Sequence, residues 1–411
     1  MSDPYKPPQT DGDQAEQIRL PAVAISALLA LIVFGERFAY YGTRAVMVVW
    51  FITGLGMADA EAYGWYATMT TAIIFAPFLG GTIALVTGPY PLALLGSAVM
   101  VLAFASLTAV PTIPLFASIA LLAFGQGLQK PAVYAIAGSQ FRGVFSNTRT
   151  ATFVLLYGAV NLGAASSSVL APYAHEFGWH FAFIPAALAM VGVTALCTIV
   201  WALDWNRPAE PPLNEAAARR FAASLPLLPL GAAFWMGVAA SSEFLFTAPP
   251  MWLFNVNPVV VLLSALVLFP VLLILQAAEI EIPAMPVVGL SLLLLLPGIA
   301  ILLIPGAPEN TGILIASVVL LAVPEIALGA FVMSRITGDL PTRLSTMLIA
   351  GWMASAYVGN AIVSALSPLV GSVPMVIASI VICLVAAVVA FGLWKPLDWI
   401  AFDRDEIAND A

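Results

Sequence analysis

The chain reads as an all-α membrane protein with twelve transmembrane helices in two six-helix bundles. Three observations predict this. Of 411 residues, 62% are hydrophobic and only 9% are charged, where a soluble domain carries about 25% charged residues. The apolar residues fall into twelve long runs, each near the ~20 residues that a helix needs to cross a bilayer. The basic residues gather at alternate ends of those runs, as they do in polytopic proteins. Runs of this length without period-two alternation exclude a transmembrane β-barrel.

The spans are placed in order at 21–51, 63–87, 91–109, 113–136, 148–171, 180–203, 225–248, 258–277, 284–305, 311–335, 342–368 and 374–396. A polar, Pro-rich stretch, "MSDPYKPPQTDGDQAEQIR", precedes the first and lacks a signal-peptide pattern. Turn chemistry marks later boundaries: "TGPYP" at 87–91, "VPTIP" at 110–114, "IPGAPENTG" at 304–312 and "SPLVGSVP" at 367–374. The one long polar connection, "DWNRPAEPPLNEAAARRF" at 204–221, divides six spans from six. Its end, "NEAAARRF", has the composition of a short interfacial helix. The expected organisation is a tail at 1–20, a bundle at 21–203, a linker at 204–224, a second bundle at 225–396 and a tail at 397–411.

Eleven of the fourteen Lys and Arg residues sit at or beyond span ends. They are Lys6, Arg19, Arg142, Arg149, Arg207, Arg219, Arg220, Arg335, Arg343, Lys395 and Arg404. With twelve spans all of them share one side, and one miscounted span would scatter them. The positive-inside rule makes that side cytoplasmic. The chain is therefore expected in the cytoplasmic (inner) membrane, with both termini inside. Two turns on that side, near 88 and near 280, carry no basic residue. Six plus six spans joined by a central loop is the layout of transporters made of two parallel halves, with the site between them near the midplane.

Six charges remain inside the spans: Glu36, Arg37, Arg44 and Lys130 in the first half, Glu243 and Glu325 in the second. Each costs about 2.5–3.5 kcal/mol at a helix centre on insertion scales, so each needs a partner or an aqueous cavity. The first half carries a net positive charge within the membrane and the second a net negative one. A zwitterion with separated charges fits such a field. In the first span Val33, Glu36, Arg37, Tyr40, Tyr41 and Arg44 recur at i, i+3/i+4, i+7 and share one face. Arg37 and Arg44 stand two turns apart, about 10 Å along the axis. Glu36 and Arg37 read either as an ion pair fixing the packing or as part of an internal network. Arg44 has no acidic neighbour in sequence and is the better ligand candidate.

The segment "GERFAYYGTRAV" resembles the E-R-F-x-Y-Y-G-x-R segment of the proton-dependent oligopeptide transporters of the major facilitator superfamily. Four further segments resemble that family in the same order. "FGQGLQKPAVYAIAGSQF" at 124–141 is similar to G-x-G-x-x-K-P-x-V, with Lys130 as its lysine. "LLYGAVNLGAASSSVLAPY" is similar to F-Y-x-x-I-N-x-G-S, with Tyr157 and Asn161. "NVNPVVV" is similar to N-P-L-F, and "VPEIALGAFVMSRITGDLP" to P-E-L-F-L-S-P, with Glu325 as its acid. The resemblance implies the major facilitator fold and secondary transport of di- and tripeptides by alternating access. It implies that Arg44 and Lys130 meet the peptide carboxylate and that Glu325 meets its ammonium. Tyr40, Tyr41, Tyr157 and Asn161 would supply polar contacts, with Trp352 as a wall or a packing residue. Glu36, Arg37 and Glu243 would belong to the proton-coupling network.

This chain departs from the family in three places. Val33 stands where the E-x-x-E-R segment has its first Glu, so altered or weakened proton coupling is expected, and Glu36 becomes the expected partner of Lys130. The loop after the second span, "GGTIALVTGPYP", lacks the Asp and Arg residues of the family's cytoplasmic latch. Ala239 stands at the family's acidic position in the seventh span, with Glu243 one turn further on the same face.

Other readings carry less. Cys197 and Cys383 lie in apolar runs and suggest no disulfide or metal. His175 and His180, in "HEFGWH", are placed in an outer loop and read as structural or solvated. "GAASSS" at 163–168 suits close helix approach. The absence of H-E-x-x-H and of G-x-x-x-x-G-K-[ST] speaks against an intramembrane enzyme or an ATP-driven pump. No cofactor is expected. The partners are a small-molecule substrate, protons and the lipid bilayer, with no nucleic acid. Two alternatives keep the fold. One is transport of another small organic anion or amphiphile, and the other is a transport-inactive sensor or scaffold.

Overall fold

The computed structural model describes residues 20–110, 113–141, 146–205, 213–246 and 256–401, and no strand occurs among them. The helices are α1 (Leu20–Val49), α2 (Asp59–Thr87), α3 (Pro89–Leu107), α4 (Leu115–Ser139), α5 (Ser146–Ser167), α6 (Leu170–Phe177) and α7 (His180–Leu203). They continue as α8 (Glu215–Ser224), α9 (Leu227–Phe246), α10 (Val256–Ala277), α11 (Ala284–Ala300), α12 (Thr311–Asp339), α13 (Thr342–Val370) and α14 (Ser372–Ala401). Apart from the short α6 and α8, each corresponds to one expected span. Eleven are apolar and long enough to cross a membrane. The twelfth, α4, runs for 25 residues, but Gln126, Gln129 and Lys130 interrupt its apolar run.

The exterior is what a bilayer requires. Val86, Leu102, Leu188, Leu266, Val267, Ile274, Leu369 and Val388 are all exposed, and lipid is the only solvent in which such a surface is stable. Helix formation satisfies the backbone groups within the spans, except where an internal proline withholds its N–H.

Two sequence boundaries move. The "HEFGWH" segment is not a loop throughout: α6 runs to Phe177, Gly178 turns at φ 101°, and α7 begins at His180. The His175 and His180 side chains lie outside the described residues. In the linker, Asn214 caps α8 by accepting from the Ala217 N–H at 2.9 Å, so "NEAAARRF" does fold as a helix.

The packing places α4 at the centre of the first bundle. It lies against α3 and α2, while α1 packs on α5 and α7. Pro131 has no N–H to offer the Gly127 carbonyl. That carbonyl instead lies against Gly80 of α2, where a Cβ would collide with it. Small residues thus set the α2–α4 distance, as they do wherever membrane helices approach closely. In the second bundle α9 packs on α13 and α14, and α11 on α12 and α14. The bundles meet where α2 touches α13, α5 touches α10 and α12, and α4 touches α12 and α13.

Candidate functional site

The face of α1 shared by Val33, Glu36, Arg37 and Tyr40 turns toward α4. Glu36 and Arg37 are 2% and 3% exposed. Arg37 donates through Nε and Nη2 to the two carboxylate oxygens of Glu36, a fork that fills both acceptors of the acid. The guanidinium carbon also lies 4.9 Å from the centroid of Tyr40 and 5.5 Å from that of Tyr41, within cation–π range.

Across from this pair, α4 presents Gln129, Lys130, Val133 and Tyr134. Together with Val33, Glu36 and Arg37 they line a cavity of about 10 Å³, room for about one water. Lys130 is expected to lean on Glu36, and here the structure differs. Arg37 occupies the carboxylate, and Lys130 makes no ion pair or hydrogen bond with any described residue. Glu36, Arg37 and Arg44 are the charges within its electrostatic reach.

Arg44 is not partnerless. Its Nε donates to the Tyr66 hydroxyl of α2, and its guanidinium carbon lies 5.7 Å from the Tyr66 centroid. Tyr66 therefore fixes a cation whose remaining donors are available for a ligand. If Arg44 holds a carboxylate ligand, Tyr66→Phe should weaken its binding about 2- to 13-fold, the worth of one hydrogen bond of about 0.5–1.5 kcal/mol. Titration of a labelled dipeptide on the purified variant measures it, and unchanged affinity would show that Tyr66 does not position Arg44.

In the second half, Glu325 of α12 lies within electrostatic reach of Tyr157 of α5, and Asn257 stands near it at the start of α10. The Tyr157 ring of α5 lies against Gly329, one turn beyond Glu325, so the two are joined across the interface between the halves. Asn161 is buried and donates to the Tyr157 carbonyl at 3.0 Å, so part of its amide serves its own helix. Trp352 of α13 is 4% exposed and packs over Gly231 of α9. Glu243 lies in α9, with its side chain outside the described residues.

Four residues near these groups were not singled out in the sequence. Tyr66 and Tyr134 hold or face the basic cluster. Tyr357 of α13 lies within electrostatic reach of Tyr40, Tyr41, Arg37 and Arg44, across the interface from α1. Gln126 is 1% exposed and neither its amide N nor its O has a partner among the described residues. Neutral polar residues inside an apolar run carry no charge to flag them.

At the end where the α4–α5 and α12–α13 turns lie, the halves are joined by hydrogen bonds. Arg149 donates through Nε to the Ser334 carbonyl at 2.8 Å and to its hydroxyl at 3.3 Å, and through Nη1 to the Phe141 carbonyl at 3.4 Å. Asn147 donates to the Ile280 carbonyl at 2.5 Å. Arg343 donates to the Leu85 carbonyl, in the last turn of α2, at 3.2 Å. The loop after the second span lacks latch side chains, yet its helix end is held through the backbone. A cation at a helix C-terminus is favoured by the macrodipole as well.

Residues 90–207 match the model of the POT family. Solute carrier family 15 member 2 of Rattus norvegicus is 32% identical over 197 residues, which are 44% of this chain and 26% of that protein. Peptide transporter 3 of Caenorhabditis elegans is 28% identical over 198 residues, 44% of this chain and 28% of that one. The matches thus span about a quarter of these relatives' length. Among solved structures, a peptide transporter POT in complex with sulfate superposes with a TM-score of 0.62 at 19% identity, covering 92% of this chain and 95% of the other. A POT family transporter in complex with 5-aminolevulinic acid gives 0.61 at 20% identity, covering 90% and 96%. These likenesses establish the major facilitator fold.

Proposed function

We propose that this divergent relative of the POT family moves small peptides across the cytoplasmic membrane by alternating access, with weak proton coupling. The observation that carries the reading is the division of charge. Arg44 and Lys130 stand on the first bundle and Glu325 on the second, the arrangement a zwitterionic peptide needs. Arg44, steadied by Tyr66, and Lys130 take the carboxylate, and Glu325 takes the ammonium. Tyr40, Tyr41, Tyr157 and Asn161 line the route between them. The end closed by Arg149 and Arg343 is cytoplasmic, because basic residues crowd there. The two bundles, 21–203 and 225–396, are the rocking units, joined by the linker at 204–224.

Uptake of a labelled dipeptide into proteoliposomes, with and without an inward proton gradient, tests this. Accumulation or exchange above protein-free vesicles supports it. Binding without uptake would instead favour a sensor or scaffold, and uptake of organic anions alone a different substrate. Glu325→Gln should weaken free-amino peptides about 10- to 150-fold, the equivalent of about 1.5–3 kcal/mol for a hydrogen bond to a charged group, and N-acetylated peptides much less. Glutamine keeps the shape of the acid, so the fold should persist. Equal losses for both ligands would make Glu325 structural.

Val33 is the basis for weak coupling. It is 4% exposed beside Glu36 and Arg37 and carries no proton. Native uptake should change less than about twofold when the gradient is imposed, whereas Val33→Glu should gain gradient-driven accumulation. Strong proton-driven accumulation by the native chain would overturn this reading.

A further inference from the structure

We infer that the cavity between α1 and α4 is a binding site for a small monovalent anion, of the size and charge of chloride. Two cations, Arg37 and Lys130, face the cavity, and one carboxylate, Glu36, faces them. That carboxylate is already gripped by Nε and Nη2 of Arg37. What remains toward the cavity is the Lys130 ammonium, Arg37 Nη1 and the Gln129 amide, none with a hydrogen bond to any described residue. Gln129, Glu36 and Arg37 are buried and Lys130 is half-buried, so water screens the surplus only in part.

A buried surplus cation is expensive, and a paired one is far less so. Nothing on the remaining wall supplies the charge, because Val33, Val133 and Tyr134 are neutral. Arg44 adds to the positive field at longer range. The cavity volume, about 10 Å³, admits one water-sized particle and is too small for a peptide carboxylate with its chain. A single halide fits both the volume and the charge, and three N–H donors from two helices give it coordination. The site would clamp α1 to α4. The site shares Lys130 with the carboxylate position of the proposed function, but the thermal response to halide is read with no substrate present.

The test is thermal unfolding of the purified protein in chloride, bromide, gluconate and sulfate at fixed ionic strength. A bound anion stabilises the state that holds it in proportion to its occupancy. The midpoint should rise by several degrees with chloride and bromide, saturably, and stay flat with gluconate and sulfate. Lys130→Gln, which removes the surplus cation, should abolish the rise. Val33→Glu, which places a carboxylate at the cavity wall, should do the same. Equal curves in chloride and gluconate would overturn the site, as would a full chloride response in both variants. Should neither variant fold, binding of radioactive chloride to the native protein decides. About one ion per chain supports the proposal, and none at high chloride concentration rejects it.

Discussion

Glu36→Gln should leave little folded protein. The acid is 2% exposed and both of its oxygens accept from Arg37. Its removal leaves the Arg37 guanidinium buried without a counter-charge and withdraws the nearest negative charge from Lys130. Breaking a buried pair from one side is destabilising by about 3–5 kcal/mol, a large part of the ~5–15 kcal/mol that holds a typical fold together. The second-site variants separate two arrangements. If Arg37 is the true partner, Glu36→Gln with Arg37→Met should recover most of the loss, since it removes the stranded charge and fills its volume. Glu36→Gln with Lys130→Gln should recover less, because Lys130 does not touch the carboxylate. Thermal midpoints and the yield of monodisperse protein report both. A better rescue through Lys130 would restore the pairing that the sequence alone suggests.

That reversal shows where the sequence is informative. The twelve spans are legible because transfer of apolar surface out of water is additive along the chain and leaves a mark on every window. The one span that composition under-weights, α4, is the one whose middle is turned inward, with Gln126, Gln129 and Lys130 surrounded by protein rather than lipid. Charged candidate residues are legible for a related reason: Arg44, Lys130 and Glu325 are too costly in a bilayer to be there by chance. Their pairing is not legible. Whether Glu36 turns to Arg37 beside it or to Lys130 on α4 depends on how two helices cross, which no periodicity encodes. Tyr66, Tyr134 and Tyr357 escaped for another reason. A tyrosine sits in a membrane helix at little cost, so its position announces nothing until the neighbouring helix is in place. The same holds for Arg149 and Arg343. As basic residues near span ends they fit an orientation signal, and only the structure puts Ser334 and Leu85 carbonyls within their reach.

On the proposed function, Gly138→Leu should slow transport strongly while leaving peptide binding intact. Gly138 lies in the last turn of α4, against Thr337 of α12, and a Cβ there would overlap the threonine side chain. One residue pair of the two halves is thus in contact with no space between them, beside the hydrogen bonds from Arg149 to Ser334. A leucine cannot be housed unless the ends of α4 and α12 part. In alternating access the two ends open in turn, so the substitution penalises only the state closed at this end. Overpacking costs about 1–3 kcal/mol, occasionally more, and a conformational equilibrium balanced within a few kcal/mol is then displaced about 5- to 150-fold toward the open form. The cycle must pass through the closed form on every turn, so the uptake rate should fall by a similar factor. Gly138→Ala should fall between the native chain and the leucine variant, because its single methyl also overlaps the Thr337 Cβ but needs a smaller separation of the two helix ends. The proposed binding residues Arg44, Lys130 and Glu325 lie deeper in the bundle, so equilibrium affinity for a dipeptide in detergent should change less than about threefold. Initial uptake rates and binding isotherms on the same preparations measure the two effects separately. Normal uptake by Gly138→Leu would show that this contact is not part of the working cycle. Loss of binding along with uptake would show that the substitution damages the fold rather than the gate.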